Sequence, residues 1–149
     1  MAKMNDAFNI VDKGTYYEID VNQKPVTRCM IDNAFTIDVS EMKFILAISF
    51  EGKFTYIIDT NTERSLEYRL EAGVTPESLC PALSVLHKRI ELITVLKIGE
   101  VTVRFTDGSL LWATSTPEYE SWNITGAGDL KIFCLPGGNL AVWLPKTDP

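Results

Sequence analysis

The sequence predicts an α+β domain, mainly antiparallel β, shaped as a flattened barrel or a sandwich-like meander with one central helix packed on the sheet. Short apolar stretches with a period of two residues alternate with turns rich in Gly, Pro and Asp, most clearly from Val101 to Trp143. Between Thr75 and Ile90, in contrast, apolar residues recur at the three- and four-residue spacing of a helix.

The C-terminal half predicts a meander of hairpins. Residues 101–105 alternate between apolar and polar side chains, and Asp107-Gly108 suits a two-residue turn in which both residues take positive φ. A strand is predicted over residues 119–124, and Leu135-Pro136-Gly137-Gly138 suits a type II turn, with Pro second and Gly third. The chain then closes with a strand over residues 140–144.

Three short strands are predicted in the N-terminal part, over residues 16–21, 26–31 and 35–39. Residues 44–50 and 54–58 flank Glu51-Gly52 and predict a hairpin. Because this pattern resembles the one around Asp107-Gly108, a duplicated half is one interpretation. A chance match between two amphipathic hairpins is the other.

The next stretch of chain requires a choice between strand and helix. Apolar residues alternate through residues 65–71, which indicates a strand with one wet face. After it, Thr75 suits a helix cap and Pro76 suits the first helical position. Four apolar residues then recur at helical spacing: Leu79, Leu83, Leu86 and Ile90. Pro81 removes a backbone donor inside this segment, so the helix is predicted to start nearer Ser78.

Length and charge limit the classes of function. A chain of 149 residues predicts a single domain over residues 1–149, with a core that needs no disulfide or metal. Twenty acidic against fourteen basic residues give a net charge of −6. This charge disfavours nucleic acid and anionic membranes and favours a basic protein partner, although acidity that serves only solubility would look the same.

The number and spacing of the cysteines indicate the redox state of the compartment in which the protein acts. Cys29, Cys80 and Cys134 form no CxxC pair, and the first nine residues contain no apolar leader. We therefore expect a cytoplasmic protein with three buried, unpaired thiols. The longest apolar run, Phe44–Ile48, is far too short to span a membrane.

The sequence predicts no catalytic residue, no cofactor and no metal site. The single histidine, His87, lies at the polar end of the predicted helix, where a cation would complement the helix dipole. The Gly-rich turns lead into strands, whereas phosphate-binding loops lead into helices. Two carboxylate pairs, Glu118 with Glu120 and Asp32 with Asp38, leave an acid/base enzyme as a third interpretation of function.

The candidate partner-binding residues follow Pro117. Glu118, Tyr119 and Glu120 combine an aromatic anchor with two carboxylates that would steer a basic partner. Alternation along the predicted strand puts Tyr119 and Trp122 on opposite faces, so only one of them need be buried. The tryptophans in the predicted strands either pack in the core or line the cavity of a small-molecule-binding β-barrel; they are Trp112, Trp122 and Trp143.

Several of these blocks together resemble a known pattern. Phe-x-Asp-Gly begins at Phe105, Tyr-Glu-x-Trp begins at Tyr119, and Pro-Gly-Gly-x-Leu-x-x-Trp ends at Trp143. In this order the blocks resemble an uncharacterised family of small, acidic bacterial proteins, and the resemblance covers most of the chain. The family implies no established activity. By analogy, short acidic bacterial proteins of one domain are often immunity partners of toxins.

The expected function is therefore that of a non-enzymatic cytoplasmic binding protein, an immunity protein that neutralises a basic bacterial toxin domain by direct binding. A small-molecule-binding β-barrel is the alternative from a different class. Oligomeric state is left open by the sequence.

Overall fold

The computed structural model describes residues 8–58 and 66–145, which contain thirteen strands and two short 3-10 elements. The strands are β1 (Asn9–Asp12), β2 (Tyr16–Asp20), β3 (Arg28–Ile31), β4 (Phe35–Ser40), β5 (Phe44–Phe50), β6 (Lys53–Ile58), β7 (Leu66–Glu71), β8 (Ile90–Leu96), β9 (Glu100–Phe105), β10 (Leu110–Ala113), β11 (Trp122–Gly126), β12 (Leu130–Cys134) and β13 (Leu140–Trp143). The 3-10 elements are Pro76–Val85 and Ala127–Asp129. Residues 1–7, in which no apolar leader is predicted, and Ser65 of the predicted strand lie outside the described ranges.

The strands form two antiparallel sheets that pack in a sandwich-like arrangement. Their orders are β1-β2-β8-β9-β10-β6-β7 and β13-β12-β11-β5-β4-β3. The sheets do not close into a barrel, so the flattened-barrel prediction is wrong and the predominance of antiparallel β structure is confirmed. The predicted C-terminal meander is split, because β8–β10 belong to the first sheet and β11–β13 to the second.

The core lies between the two sheets. Phe54 of the seven-stranded sheet stacks on Phe35 and Phe50 of the six-stranded sheet, with ring centroids 5.3 and 4.8 Å apart. Trp122 is fully buried, and its Nε1 donates a hydrogen bond of 3.0 Å to the carbonyl oxygen of Gly99. Aromatic packing and this buried bond therefore hold the sheets face to face.

Most strands lie where the sequence predicts them, but one predicted strand pairing is absent from the sheets. The strand predicted over residues 65–71 is confirmed as β7. The hairpin predicted about Glu51-Gly52 is wrong, because β5 pairs with β4 and β11 whereas β6 pairs with β10 and β7. Glu51-Gly52 is instead a crossover between the sheets, and it is not equivalent to the turn at Asp107-Gly108.

The predicted helix is a 3-10 segment, which begins at Pro76 rather than near Ser78. Its buried residues recur every third position, as three residues per turn require; they are Leu79, Ala82 and Val85. Leu83 and Leu86 of the predicted apolar face are 39% and 40% exposed. Pro81 lies inside the segment and lacks the N–H that an α-helix would use there. Thr75 makes no side-chain capping bond.

Of the two turns predicted in the C-terminal half, one has the predicted type and the other does not. The β9–β10 loop has three residues, since Phe105 N–H bonds to Ser109 O (2.9 Å) and Gly108 N–H to Phe105 O (3.0 Å). Gly108 takes a φ of 90°, while Asp107 is not among the positive-φ residues and its carboxylate accepts bonds from Ser109 instead. The type II turn predicted at Leu135–Gly138 is confirmed by the Gly138 N–H to Leu135 O bond of 3.0 Å and a φ of 88° at the third residue.

Within the described ranges, no helix has the length and apolar character needed to cross a membrane.

Candidate partner-binding site

The connection from β10 to β11, residues 114–121, carries the predicted contact residues, and we call it the Tyr119 loop. The loop crosses from one sheet to the other and is bonded at both ends. Thr116 O accepts the N–H of Gly137 (2.8 Å), and Ser121 O accepts the N–H of Glu51 (2.9 Å). Backbone bonds to two neighbouring connections therefore fix the loop in place.

Tyr119 lies in this loop, and the strand predicted to include it begins only at Trp122. The Thr116 hydroxyl accepts the Tyr119 N–H (3.3 Å) and holds the local turn. The phenol ring rests on the backbone of Gly52, where an added Cβ would overlap the ring and its oxygen. Tyr119 remains 37% exposed, so it is neither a core residue nor a free side chain.

Glu118 and Glu120 flank Tyr119 and are both exposed. Neither carboxylate forms an ion pair with a basic side chain in the described part of the chain. Both are therefore open to a basic partner. The structure thus brings the three predicted residues together in one exposed segment, whose binding role remains a prediction.

The Tyr119 loop belongs to an end of the sheets that is rich in carboxylates. Trp122 pairs with Phe50, which pairs with Phe35, so the β3–β4, β5–β6 and β10–β11 connections meet at this end. Glu71 also lies there, since β7 continues to Ala72, whose N–H bonds to Gly52 O (2.9 Å). We call this region the acidic end and define it by Asp32, Glu51, Glu71, Glu118 and Glu120.

Two basic residues at the acidic end form ion pairs with carboxylates outside the defining set, and a third faces Glu71. Lys97 Nζ lies 2.9 Å from Asp12 Oδ1, and Lys13 Nζ lies 3.5 Å from Glu18 Oε1. Lys53 stands directly across from Glu71 in the β6–β7 register. The opposite end carries several basic residues in its turns and strand ends: Lys24, Arg28, Lys43, Lys88 and Arg89. Lys24, Arg28 and Lys88 form ion pairs there with Glu41, Asp38 and Asp107, so the charges of that end largely balance. The negative charge is therefore distributed unevenly, towards the Tyr119 loop.

The other sequence candidates do not come together as a site. Asp38 is 3% exposed and bonded to Arg28 at 2.6 Å, while Asp32 accepts the N–H of Ala34 in the β3–β4 turn. Asp32 lies in the turn of the β3–β4 hairpin and Asp38 lies near its open end, so the two carboxylates have separate structural partners. His87 is exposed with a φ of 74°, and the segment just before it is a 3-10 helix rather than the predicted α-helix. No group of three metal-ligating side chains exists among the described residues.

The three tryptophans lie in three different environments. Trp112 is partly buried on the outer face of the seven-stranded sheet, where its Nε1 bonds to Glu100. Trp122 is in the core, and Trp143 is 55% exposed on the outer face of the six-stranded sheet. They do not line a common cavity, as the small-molecule alternative would require.

The cysteines differ from the prediction of three buried thiols. Cys134 is buried, Cys29 is half-buried and Cys80 is exposed, and none forms a disulfide. Burial, together with the charge of Asp38, raises the pKa of the Cys29 thiol to about 11. Burial also raises the pKa of Cys134.

A polar cluster that no sequence pattern indicates lies behind the 3-10 segment. Lys88 Nζ lies 2.7 Å from Asp107 Oδ2 and donates to Tyr56 Oη (2.8 Å) and Ser109 Oγ (3.0 Å). Burial opposes charge on Asp107, but the bonds from Lys88 and Ser109 prevail and lower its pKa to about 2. These residues are far apart in the chain and follow no motif, so only the fold could reveal the cluster.

Comparison with known proteins places the chain in a family. No curated protein and no solved structure gave a significant match. Residues 17–144, from β2 to just beyond β13, match the model of one protein family. The chain therefore belongs to DUF6188, a family of unknown function.

Proposed function

We propose that this protein is a non-enzymatic cytoplasmic binding protein that neutralises a basic bacterial toxin domain, with the Tyr119 loop at the centre of the contact. One observation carries the proposal. Glu118, Tyr119 and Glu120 are exposed side by side on a loop whose backbone is bonded at both ends. Aromatic side chains within a charged rim are typical of binding surfaces.

The fixed loop favours tight binding. Because hydrogen bonds to Glu51 and Gly137 already hold the loop, little backbone entropy would be lost when a partner docks. Tyr119 is supported from below by Gly52, so its exposed edge is presented in one orientation. A pre-organised aromatic ring is a suitable anchor.

Charge supports a basic partner. The carboxylates of the acidic end surround the Tyr119 loop, and the net charge of the chain is −6. A basic toxin surface would be attracted over a distance of about 8 Å at physiological ionic strength. The same surface would repel nucleic acid and anionic lipid.

The unpaired cysteines agree with a cytoplasmic location. Cys80 is exposed and has no disulfide partner, a state that reducing compartments maintain. An immunity protein that protects its own cell acts in that compartment when the toxin attacks cytoplasmic targets.

The test is inhibition of a purified basic toxin domain encoded beside the gene for this protein. We expect Tyr119→Ala to weaken binding by about 2 kcal/mol, roughly thirty-fold, mainly through faster dissociation. Binding measured by surface plasmon resonance and melting temperature measured on the same samples separate an interface role from a folding role.

Tyr68→Ala provides the matched control, since Tyr68 of β7 has the same 37% exposure but lies outside the acidic end. We expect it to leave toxin binding unchanged. Equal toxin affinity for Tyr119→Ala and the wild type would remove the Tyr119 loop from the interface, and failure to inhibit the toxin at all would refute the immunity function.

A further inference from the structure

Among the four edge strands formed by residues 8–58 and 66–145, one differs from the other three. Strand β7 carries Glu67, Arg69 and Glu71, β3 begins with Arg28, and β1 ends with Asp12. Charged side chains on an edge strand discourage pairing with another molecule. Strand β13, with the sequence Leu-Ala-Val-Trp followed by Leu144, has no charged residue. Its sequence is therefore that of an edge that can accept a further strand.

The alternation of hydrogen bonds between β12 and β13 determines which N–H and C=O groups of β13 point to the open edge. Leu135 and Asn139 form a hydrogen-bonded pair, since Leu135 N–H donates to Asn139 O at 2.8 Å. Bonded pairs alternate in an antiparallel ladder, so Ala141 and Trp143 direct their N–H and C=O groups towards β12. The corresponding groups of Leu140 and Val142 point away from β12, to the open edge.

We propose that the protein forms a two-fold symmetric dimer in which β13 pairs antiparallel with β13 of a second copy, Val142 opposite Val142. This register pairs Leu140 with Leu144 of the second copy and joins the outward-pointing groups of both strands. It also preserves the faces of the sheet, because facing residues differ by an even number of positions. Two six-stranded sheets become one continuous sheet.

The side chains of the outer face are complementary in the same register. Ala141 stands opposite Trp143 of the second copy, and beside Ala141 in its own sheet lies Phe133. The small Ala141 side chain leaves room for an indole ring next to Phe133. Trp143 is 55% exposed and already makes an edge contact with Phe133 at 6.3 Å between centroids. The two Trp143 rings would lie diagonally across the axis, within reach of each other.

Charge is compatible with this arrangement. Antiparallel pairing about the two-fold axis points the acidic ends of the two copies in opposite directions, so their repulsion is small. The Tyr119 loop of each copy stays accessible, and the dimer is therefore independent of the proposed toxin binding.

A single strand pair buries less area than a standard stable interface, so the dimer is expected to be weak and concentration-dependent. Amide hydrogen exchange followed by NMR at about 20 μM and about 1 mM protein tests the register directly. We expect the amides of Leu140, Val142 and Leu144 to become protected as concentration rises. The amides of Ala141 and Trp143 are expected to be protected at both concentrations, since they bond to β12.

Sedimentation equilibrium over the same range should show a rise in mean mass towards that of a dimer. A constant monomer mass would overturn the proposal, and protection of Leu140 and Val142 without Leu144 would overturn the register.

Trp143→Lys introduces the charge that β13 lacks and should weaken the dimer at least tenfold. Val11→Lys is the matched control, because Val11 is a 39% exposed apolar residue on another edge strand, β1. We expect it to leave the monomer–dimer equilibrium unchanged. Dimerisation that survives Trp143→Lys, or that is lost in Val11→Lys, would exclude β13 as the interface.

Discussion

At the scale of single residues, the molecule shows how far a residue's role depends on neighbours remote in sequence. Tyr119 was open to two interpretations, an exposed anchor or a core residue, and its contact with Gly52 gives an intermediate answer. No local pattern could reveal that contact, because Gly52 lies in a crossover that itself resembles a hairpin turn. Local composition predicted Glu118 and Glu120 as contact carboxylates, and the structure shows both exposed.

The three thiols provide a prediction at this scale. We expect Cys80 to react rapidly with a thiol reagent at pH 8, because it is exposed. Cys29 should react slowly, since with a pKa of about 11 only about one thiol in a thousand is ionised at that pH. Cys134 should react only in denaturant. Spectrophotometric counting of the modified thiols measures these rates.

Cys80→Ser should remove the rapid phase alone. A rapid reaction at Cys134 in the native protein would contradict its burial.

The ion pair of Asp107 with Lys88 makes a second prediction, on pH. The folded-state pKa of Asp107 is lowered to about 2 from the ordinary value of 3.8, so its contribution to stability is present above about pH 4 and is lost as the pH falls towards 2. Because the Asp107 side chain is 51% exposed, solvent screening limits the contribution to about 1 kcal/mol or less.

Asp107→Asn should therefore lower the melting temperature by about 2 to 4 °C at pH 7, and the difference from the wild type should vanish near pH 2. Thermal denaturation followed by circular dichroism at both pH values measures this change. A difference that persists unchanged at pH 2 would show that the carboxylate charge is not its cause.

At the scale of elements, local patterns predicted where strands lie but not which strands pair. Period-two alternation located β5 and β6 correctly, yet their side-by-side sequence positions suggested a hairpin where the chain changes sheet. The pairing of β5 with β11 joins segments far apart in the chain, and alternation contains no information about such partners. Sequence reasoning thus predicted the antiparallel β class and left barrel and sandwich open, but it did not predict which strands each sheet contains.

The prediction of an α-helix at the 3-10 segment was wrong for a different reason. Apolar residues at Leu79, Leu83 and Leu86 match an α-helical face, but Ala82 and Val85 give an equally regular three-residue period. Pro81 favours the tighter conformation because an α-helix would lose a hydrogen bond and suffer a clash there. Small residues such as Ala82 contribute little to a hydrophobic pattern, so the three-residue period of the buried positions is hard to recognise in the sequence.

A pair of truncations distinguishes the two periodicities. Leu79→Ala should cost about 3 kcal/mol, because Leu79 is 1% exposed and its removal leaves a cavity. Leu83→Ala, at a site that is 39% exposed, should change stability by no more than about 0.5 kcal/mol. Urea denaturation measures both values. Similar losses for both variants would favour the α-helical face over the 3-10 arrangement.

At the scale of the whole molecule, the net charge is less informative than its placement. The sequence supplied the value of −6, but only the fold shows that Asp32, Glu51 and Glu71 gather around the Tyr119 loop. Asp32 and Glu51 lie in connections that meet because β4, β5 and β11 are neighbours, and Glu71 ends β7 beside Gly52. A field of one sign near one end of the molecule is the arrangement that accelerates encounter with an oppositely charged partner.

The last prediction concerns this field. The association rate with a basic toxin domain should fall by about tenfold or more between about 10 mM and 1 M salt, because the screening length shrinks from about 30 Å to about 3 Å. Replacement of both Glu118 and Glu120 by Lys should reduce the association rate and flatten its salt dependence, while the dissociation rate changes less.

The matched control replaces Glu41 and Asp129 by Lys. These residues lie at the opposite end, and their replacement changes the net charge by the same amount. Stopped-flow mixing at several salt concentrations measures the rates of all three proteins. If the control slows association as much as the Glu118 and Glu120 variant does, total charge rather than the acidic end steers the encounter.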